Sequence, residues 1–336
     1  MNECVFVTGG SGFIGSAVIR HLLATTSLRI VNIDKLTYAV HSEALANVQA
    51  HPRYAFYQQD IADETALSVL FAQYQPRYVM HLAAESHVDR SIDSAQPFIY
   101  SNIVGTFSLL EATRKYWLSL HTPEQRLFRF LHVSTDEVFG DLAEGVPAAD
   151  ERNRYAPSSP YSASKAASDH LVMAWSRTYN LPVLMTHCTN NYGPYQHSEK
   201  LIPLVIERAL HGQPIPIYGN GLQIRDWLFV EDHAKALVTV LFKGHIGENY
   251  NIGANNPLSN LAVVHHICDT LALLVPRNGE CYKNLITFVT DRPGHDKRYA
   301  LNCNKIQQCL SWQATTPFDK GMDITIRFYI NNLSKS

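Results

Sequence analysis

The chain has 336 residues, 46% of them hydrophobic, and 28 Lys and Arg nearly balance 30 Asp and Glu, leaving a net charge of −2 with His neutral. This composition supports a large buried core and excludes an overall basic field that would recruit nucleic acid or an anionic membrane surface. No apolar run is long enough to span a bilayer and the first residues carry no leader pattern, so the expectation is a cytoplasmic protein of one large domain or two joined ones.

Short β-branched or apolar runs at 4–8, 29–33, 54–58, 78–82, 128–134 and 183–188 alternate with amphipathic stretches. The rhythm predicts strands with helices between most of them. The fold class is therefore α/β, a doubly wound parallel sheet with helices on both faces. Past Asn190 the chain is punctuated by Gly193-Pro194, Pro203, Pro214, Pro216 and Gly219, so a smaller C-terminal α/β region begins there and shares a cleft with the first.

The six cysteines, Cys4, Cys188, Cys268, Cys281, Cys303 and Cys309, show no C-x-x-C spacing and read as buried thiols. Sixteen histidines include no H-E-x-x-H run, and no metal site is expected.

Directly after the first strand, Gly9-Gly10-Ser11-Gly12-Phe13-Ile14-Gly15 opens a helix. Glycines at 9, 12 and 15 permit a tight turn, close approach of backbone to a pyrophosphate, and close packing of helix on sheet, while the helix N-terminus favours negative charge. Asp34 lies nineteen residues beyond Gly15, where a carboxylate accepts hydrogen bonds from an adenosine ribose and repels a 2′-phosphate. The pattern predicts NAD rather than NADP.

Tyr161 and Lys165, four apart, share one helix face. An adjacent ammonium and a cationic nicotinamide ring both favour the phenolate, which makes Tyr161 a candidate base near neutrality. Just upstream, the strand ends in Ser134-Thr135-Asp136-Glu137, at the strand edge where ligands bind in such sheets. Two adjacent carboxylates there can be separated by environment, one a protonated acid and one an ionised base.

With these residues in hand, the chain resembles an extended short-chain dehydrogenase/reductase, and it is similar to the nucleotide-sugar 4,6-dehydratases acting on dTDP-glucose over nearly its whole length. The resemblance is carried by VNIDKLTYA at 31–39, HLAAESHVDRSID at 81–93, NIVGT at 102–106, YAPSSPYSASKAASDHL at 155–171, NNYGPY at 190–195, EKLIPL at 199–204, QIRDWLFVEDHA at 223–234 and DRPGHDKRYA at 291–300.

The resemblance implies a reaction in which C4 of the hexose is oxidised, water is eliminated across C5 and C6, and the same hydride returns to C6. It implies that Tyr161 takes the 4-hydroxyl proton, Lys165 tunes it and holds the nicotinamide ribose, Thr135 orients the hydroxyl, Glu137 removes the C5 proton and Asp136 protonates the departing 6-hydroxyl. An epimerase returns hydride to C4 and needs no such pair. Phe13, Ile14, Asp34, Lys35, Thr37, Asp60, Ile61, Ala83, Ala84, Ser101 and Asn191 are implied for the NAD site, and Ser86 and Asn190 for the sugar. Arg225, Asn260 and His295 are implied for the diphosphate, and Lys200, Leu201, Pro216, Tyr218 and Arg292 for the nucleotide surroundings. The implied division is an NAD-binding Rossmann-like part at 1–190, with 227–254 returning to it, and a nucleotide-sugar-binding region at 191–226 and 255–336.

A homodimer is also implied, with Phe107, Leu110, Leu171 and Trp175 offering apolar surface to a partner's matching pair of helices. The chain departs from the family pattern at Val40-His41 (usually Gly-Asn), His187 (Asn or Arg), His197-Ser198 (Phe-Pro) and Phe139 (often Tyr). Two other readings stand beside the main one: a UDP-glucose 4,6-dehydratase, which carries the same Thr-Asp-Glu set, and a non-catalytic NAD-binding protein on the same fold.

Overall fold

The computed structural model describes residues 3–277 and 279–333. Its strands are β1 (Cys4–Thr8), β2 (Arg29–Asp34), β3 (Tyr54–Gln58), β4 (Tyr78–His81), β5 (Arg129–Thr135), β6 (Val183–Cys188), β7 (Asn190–Tyr192), β8 (Ile215–Tyr218), β9 (Ile224–Phe229), β10 (Asn249–Ile252), β11 (Pro257–Ser259) and β12 (Ile286–Val289). Seven of them form one sheet in the order β10-β6-β5-β4-β1-β2-β3, and every pairing within it is parallel. The chain winds outward in both directions from β1, so the strand order reverses there and leaves a crevice at the carboxyl ends.

Residues alternate between two cores because successive side chains on a strand point to opposite faces. On β1, Val5 and Val7 join the core under the helices Phe13–Thr25 and Val230–Lys243. Cys4 and Phe6 join the other, under Glu64–Tyr74, Thr106–Ser119 and Pro160–Tyr179. Burying both faces explains why the strands read as near-continuous apolar runs. A third core, including Tyr192, Ile206, Ile217, Trp227, Ile267 and Ile326, holds the C-terminal region around β11-β9-β7 and β12-β8.

The expected strands match within a residue or two. Phe128 is the exception in kind: it caps the short helix Thr122–Leu127, and β5 runs one residue further, to Thr135. β10 escaped the apolar pattern because Asn251 is fully buried in it, its side-chain amide donating to Ala149 O (2.9 Å). The reading of all six cysteines as buried also fails for two. Cys281 and Cys309 are exposed, Cys309 because the helix Asn304–Leu310 turns Ile306 and Leu310 inward instead. No helix among the described residues is long and apolar enough to cross a membrane.

Candidate active site

A deep cleft runs along the carboxyl ends of the strands. Its floor begins at the glycine turn. Gly9 sits at φ +69, and a Cβ there would lie 2.6 Å from the Ala83 backbone; one on Gly15 would lie 2.2 Å from Gly9 O. Those two glycines are required by packing. A Cβ on Gly12 would meet only Gly9 O at 3.3 Å and otherwise project into open space, so Gly12 keeps the mouth of the helix Phe13–Thr25 clear for a backbone-hugging ligand. Asp34, at the end of β2, is buried and accepts from Ser11 N (3.0 Å) and Leu36 N (2.9 Å). Burial raises its pKa despite those bonds and Lys35. Lys35 donates to Ser101 Oγ (2.6 Å) and lies 3.7 Å from Asp60. A glycine cradle, the amides of a helix N-terminus and a fixed carboxylate nineteen residues on suit a dinucleotide with a free ribose.

The reacting groups stand together further along. Tyr161 and Lys165 belong to the helix Pro160–Tyr179, which starts sharply because Pro160 occupies the first turn and Ser159 and Ser162 cap each other reciprocally, each backbone N–H reaching the other's hydroxyl at 3.0 Å. Thr135 ends β5 and caps the following turn of 3-10 helix, Asp136–Phe139, accepting from Glu137 N (3.3 Å) and donating to Asp136 Oδ1 (3.2 Å). Thr135, Asp136, Glu137, Tyr161 and Lys165 all line the cleft.

The two carboxylates are electrostatically unequal. Burial, then the neighbouring Glu137, holds Asp136 well above the usual carboxylate range, and its Oδ2 is buried without a hydrogen-bond partner. Glu137 is raised too, chiefly by burial, but Arg225, Arg292 and Lys200 all pull it down. Asp136 is thus the group that keeps its proton when one carboxylate ionises.

Tyr161 departs from expectation. Burial, then the charge of Glu137, holds its phenol well above the ordinary value, and only the Thr135 hydroxyl works against them appreciably. Lys165 instead donates to the Val133 carbonyl (2.9 Å). The chain by itself does not bring the phenol to neutrality; a further positive charge on the cleft side is needed for that.

Of the remaining expected residues, Phe13, Ile14, Thr37, Ile61, Ala83, Ala84, Ser86, Asn190, Asn191 and Lys200 line the cleft with those above. Asn191 Oδ1 bonds His233 Nδ1 (2.8 Å), and Lys200 Nζ donates to Ser86 O (3.0 Å) across it. Asp60, Leu201, Pro216, Tyr218, Arg225, Asn260, Arg292 and His295 lie outside this lining. Tyr218 and Arg292 converge on Asp89, at 3.2 and 2.7 Å, and His295 bonds Asp291 (2.6 Å). Arg225 is buried under Tyr299, its guanidinium 4.2 Å from the ring centroid. Its Nη1 donates to the carbonyls of Ile224 and Lys297 and its Nη2 to that of Asp296. The guanidinium expected to face a diphosphate thus also braces the backbone at 296–297.

Sequence reading missed how the cleft mouth is tied. Arg90 stacks over the Tyr38 ring at 3.7 Å and grips Glu199 with Nε (3.1 Å) and Nη2, and His87 lies 3.4 Å from the same carboxylate. The loop bearing Val40-His41 packs here on the segment bearing His197-Ser198, with Tyr38 against His197 (5.6 Å) and His41 against Tyr195 (5.1 Å). Pairing of such distant segments has no local sequence signal.

A family model described as GDP-mannose 4,6 dehydratase matches residues 6–325. The dTDP-glucose 4,6-dehydratase of Haemophilus influenzae is 55% identical over 335 residues, covering 99% of each chain. Among solved structures, a dTDP-glucose 4,6-dehydratase from Bacillus anthracis in complex with NAD superposes with a TM-score of 0.87 at 39% identity, covering 99% of this chain and 98% of that one. The DesIV enzyme of Streptomyces venezuelae, a dTDP-glucose 4,6-dehydratase solved with NAD and TYD bound, gives 0.90 at 38% over the same shares.

Proposed function

The chain belongs to the dTDP-glucose 4,6-dehydratases, within the wider GDP-mannose 4,6 dehydratase family, and from that premise we propose how its residues convert dTDP-glucose to dTDP-4-keto-6-deoxyglucose and water. The glycine turn, Asp34 and Lys35 would hold NAD, which when bound would supply a hydride acceptor for C4 and a hydride donor for C6. Tyr161 accepts the 4-hydroxyl proton while Thr135 orients that hydroxyl, and the Lys165 ammonium favours the phenolate and holds the ribose beside it. Once C4 is a ketone, the C5 proton is acidic. Glu137 removes it, and Asp136 gives its proton to the 6-hydroxyl, which leaves as water; as hydride adds to C6, Glu137 returns the proton to C5, and the proton taken by Tyr161 restores Asp136 through solvent.

The observation that carries this reading is the unequal pair of carboxylates beside Tyr161 in one cleft. A site that only moved hydride on and off C4 would have no use for a buried proton donor next to a base. In this reading residues 1–190 with 227–254 serve the cofactor and 191–226 with 255–336 the nucleotide sugar; β10 joins the parallel sheet as that division requires, while Trp227 and Phe229 belong to the smaller sheet's core and Ile306 and Leu310 pack into that of the large one. A homodimer is supported by the exposed apolar residues Ile99, Tyr100, Val104 and Phe107 on one helical stretch. Phe107 packs edge-on against Trp175 (5.8 Å) at that surface, and Leu171 is half-buried nearby. Leu110, expected there, is fully buried in the subunit's own core.

The test is product formation from dTDP-glucose and UDP-glucose side by side, read as the near-ultraviolet absorbance that a 4-keto-6-deoxy sugar develops in alkali. Turnover with dTDP-glucose well above that with UDP-glucose is expected. No product from either would return the chain to the class of non-catalytic binding proteins.

A further inference from the structure

Behind the reacting groups, on the side of the helix Pro160–Tyr179 that faces the sheet, lies a buried polar cluster that the reaction above does not use. Asp169, one helical turn beyond Lys165, is 1% exposed. Its Oδ1 is 3.0 Å from His132 Nε2, and its Oδ2 accepts from Ser134 Oγ (2.8 Å) and Tyr155 Oη (3.1 Å). His187 Nε2 lies 2.7 Å from the same Tyr155 oxygen and 3.4 Å from Oδ2. The elements tied together are β5, β6, the loop carrying Tyr155, and the helix carrying Tyr161 and Lys165.

The protonation pattern follows from the hydrogen bonds. Both His132 and His187 leave Nδ1 buried with no partner, which suits a bare lone pair and would strand a second N–H. Each ring therefore donates once from Nε2, and Tyr155 and Ser134 donate through their hydroxyls. A carboxylate so surrounded is an anion. Burial pushes Asp169 up, but the bond from His132 and the proximity of His187 outweigh it and hold it far below the usual range. The cluster carries one negative charge.

Lys165 is buried as well, and burial lowers its pKa. The groups facing it are Asp169 on its own helix and Cys188 on β6, which favour its charge, and His81 on β4 and His132 on β5, which oppose it. Cys188 is itself pushed up to about 12 by burial, so it is a neutral thiol at ordinary pH. Asp169 is then the fixed anion within reach.

We propose that Asp169 is a positioning residue of the reaction: its locked carboxylate is the counter-charge that keeps buried Lys165 an ammonium ion, and its bond to Ser134 ties that ammonium to the strand end bearing Thr135, Asp136 and Glu137. The inference rests on the role given to Lys165 under Proposed function. His187 joins this cluster by bonding Tyr155, and Phe139 packs against both rings at 5.3 and 5.0 Å.

The test isolates the C4 oxidation in a Glu137→Gln background, where elimination is blocked, and follows its single-turnover rate against pH through the near-ultraviolet absorbance of the reduced cofactor. Adding Asp169→Asn removes the charge at nearly constant volume. Loss of one nearby opposite charge typically moves a pKa by roughly one to two units, so the alkaline fall of the rate should move down by about that much. Adding Tyr155→Phe instead takes one hydrogen bond from Asp169 and leaves its charge, so the fall should stay in place while the rate drops modestly. An Asp169→Asn profile lowered evenly with its alkaline fall unmoved would overturn the proposal.

Should Asp169→Asn fail to fold, the parent protein still decides the matter. In a pH titration of ¹⁵N-lysine-labelled protein, the Nζ signal missing from Lys165→Met should retain its ammonium shift at pH 8; a neutral-amine shift there overturns the proposal. Parent-rate turnover by Lys165→Met would be a different failure, that of the catalytic reading itself.

Discussion

The two walls of the cleft are built by different means. On the sheet side, Thr135, Asp136, Tyr161 and Lys165 are buried, down to 4% exposure for Lys165, and sit on a strand end and a capped helix whose positions follow from the core. On the opposite side, Glu199 lines the cleft and Arg90, Tyr218 and Arg292 stand behind that lining; they are half-buried or exposed, Tyr218 to 41%, and are joined by ion pairs and a hydrogen bond between segments far apart in the chain. The difference tracks the tasks. Proton transfers need donors and acceptors fixed within tenths of an ångström and shielded from water, whereas the side proposed to hold the nucleotide must let it enter and leave, and is assembled from contacts individually worth about 0–1 kcal/mol.

Replacing sheet-side groups should therefore cost most. Glu137→Gln and Asp136→Asn should each slow dehydration by roughly 10²- to 10⁴-fold with NAD still bound. Exchange of the C5 proton with solvent deuterium should fall furthest in Glu137→Gln and persist in Asp136→Asn; exchange at the parent rate in Glu137→Gln would break the division of labour. The same pair sets the pH dependence. Glu137 must be ionised and its pKa is raised, so the rate should fall on the acid side above the ordinary glutamate range. Asp136 must be protonated and is raised further, so the alkaline fall attributable to it should vanish in Asp136→Asn.

The other wall should answer with a change in binding. Arg292→Gln removes the guanidinium that bridges to Asp89 and is proposed to line the nucleotide pocket. KM should rise about tenfold, equivalent to about 1.4 kcal/mol, with kcat little changed. A loss confined to kcat would erase the contrast between the walls. Smallest of all, Arg90→Ala unties Tyr38 from Glu199 at the mouth, and exchange of bound NAD for labelled NAD should quicken by about two- to fivefold, the range expected of an exposed ion pair. An unchanged exchange rate would show that the mouth is held by its ring contacts alone.

The same division governs what could be read in advance. Gly9, Gly12, Gly15 and Asp34, the Tyr161-Lys165 spacing and the Thr135-Asp136-Glu137 run are local: the turn, helix period or strand end that positions each lies within a few residues of it, or within one strand-helix-strand unit. The parallel sheet was legible for the same reason, since burial of both faces writes itself as apolar runs. β10 was not, because a buried Asn in a four-residue strand answers to Ala149, about a hundred residues away.

Tertiary structure alone decided the rest. It turned Leu110 into the core, committed the Arg225 guanidinium to backbone carbonyls, paired Tyr38 and His41 with His197 and Tyr195, and gathered His132, Ser134, Tyr155 and His187 around Asp169. It also decided the charge states. A phenol expected near neutrality is held high because burial and the charge of Glu137 outweigh the Thr135 hydroxyl, while the Lys165 ammonium is bonded to Val133. Sequence specifies which groups a chain brings and, through short-range periodicity, the elements that carry them. Their desolvation and long-range partners depend on which distant segments the fold packs against them.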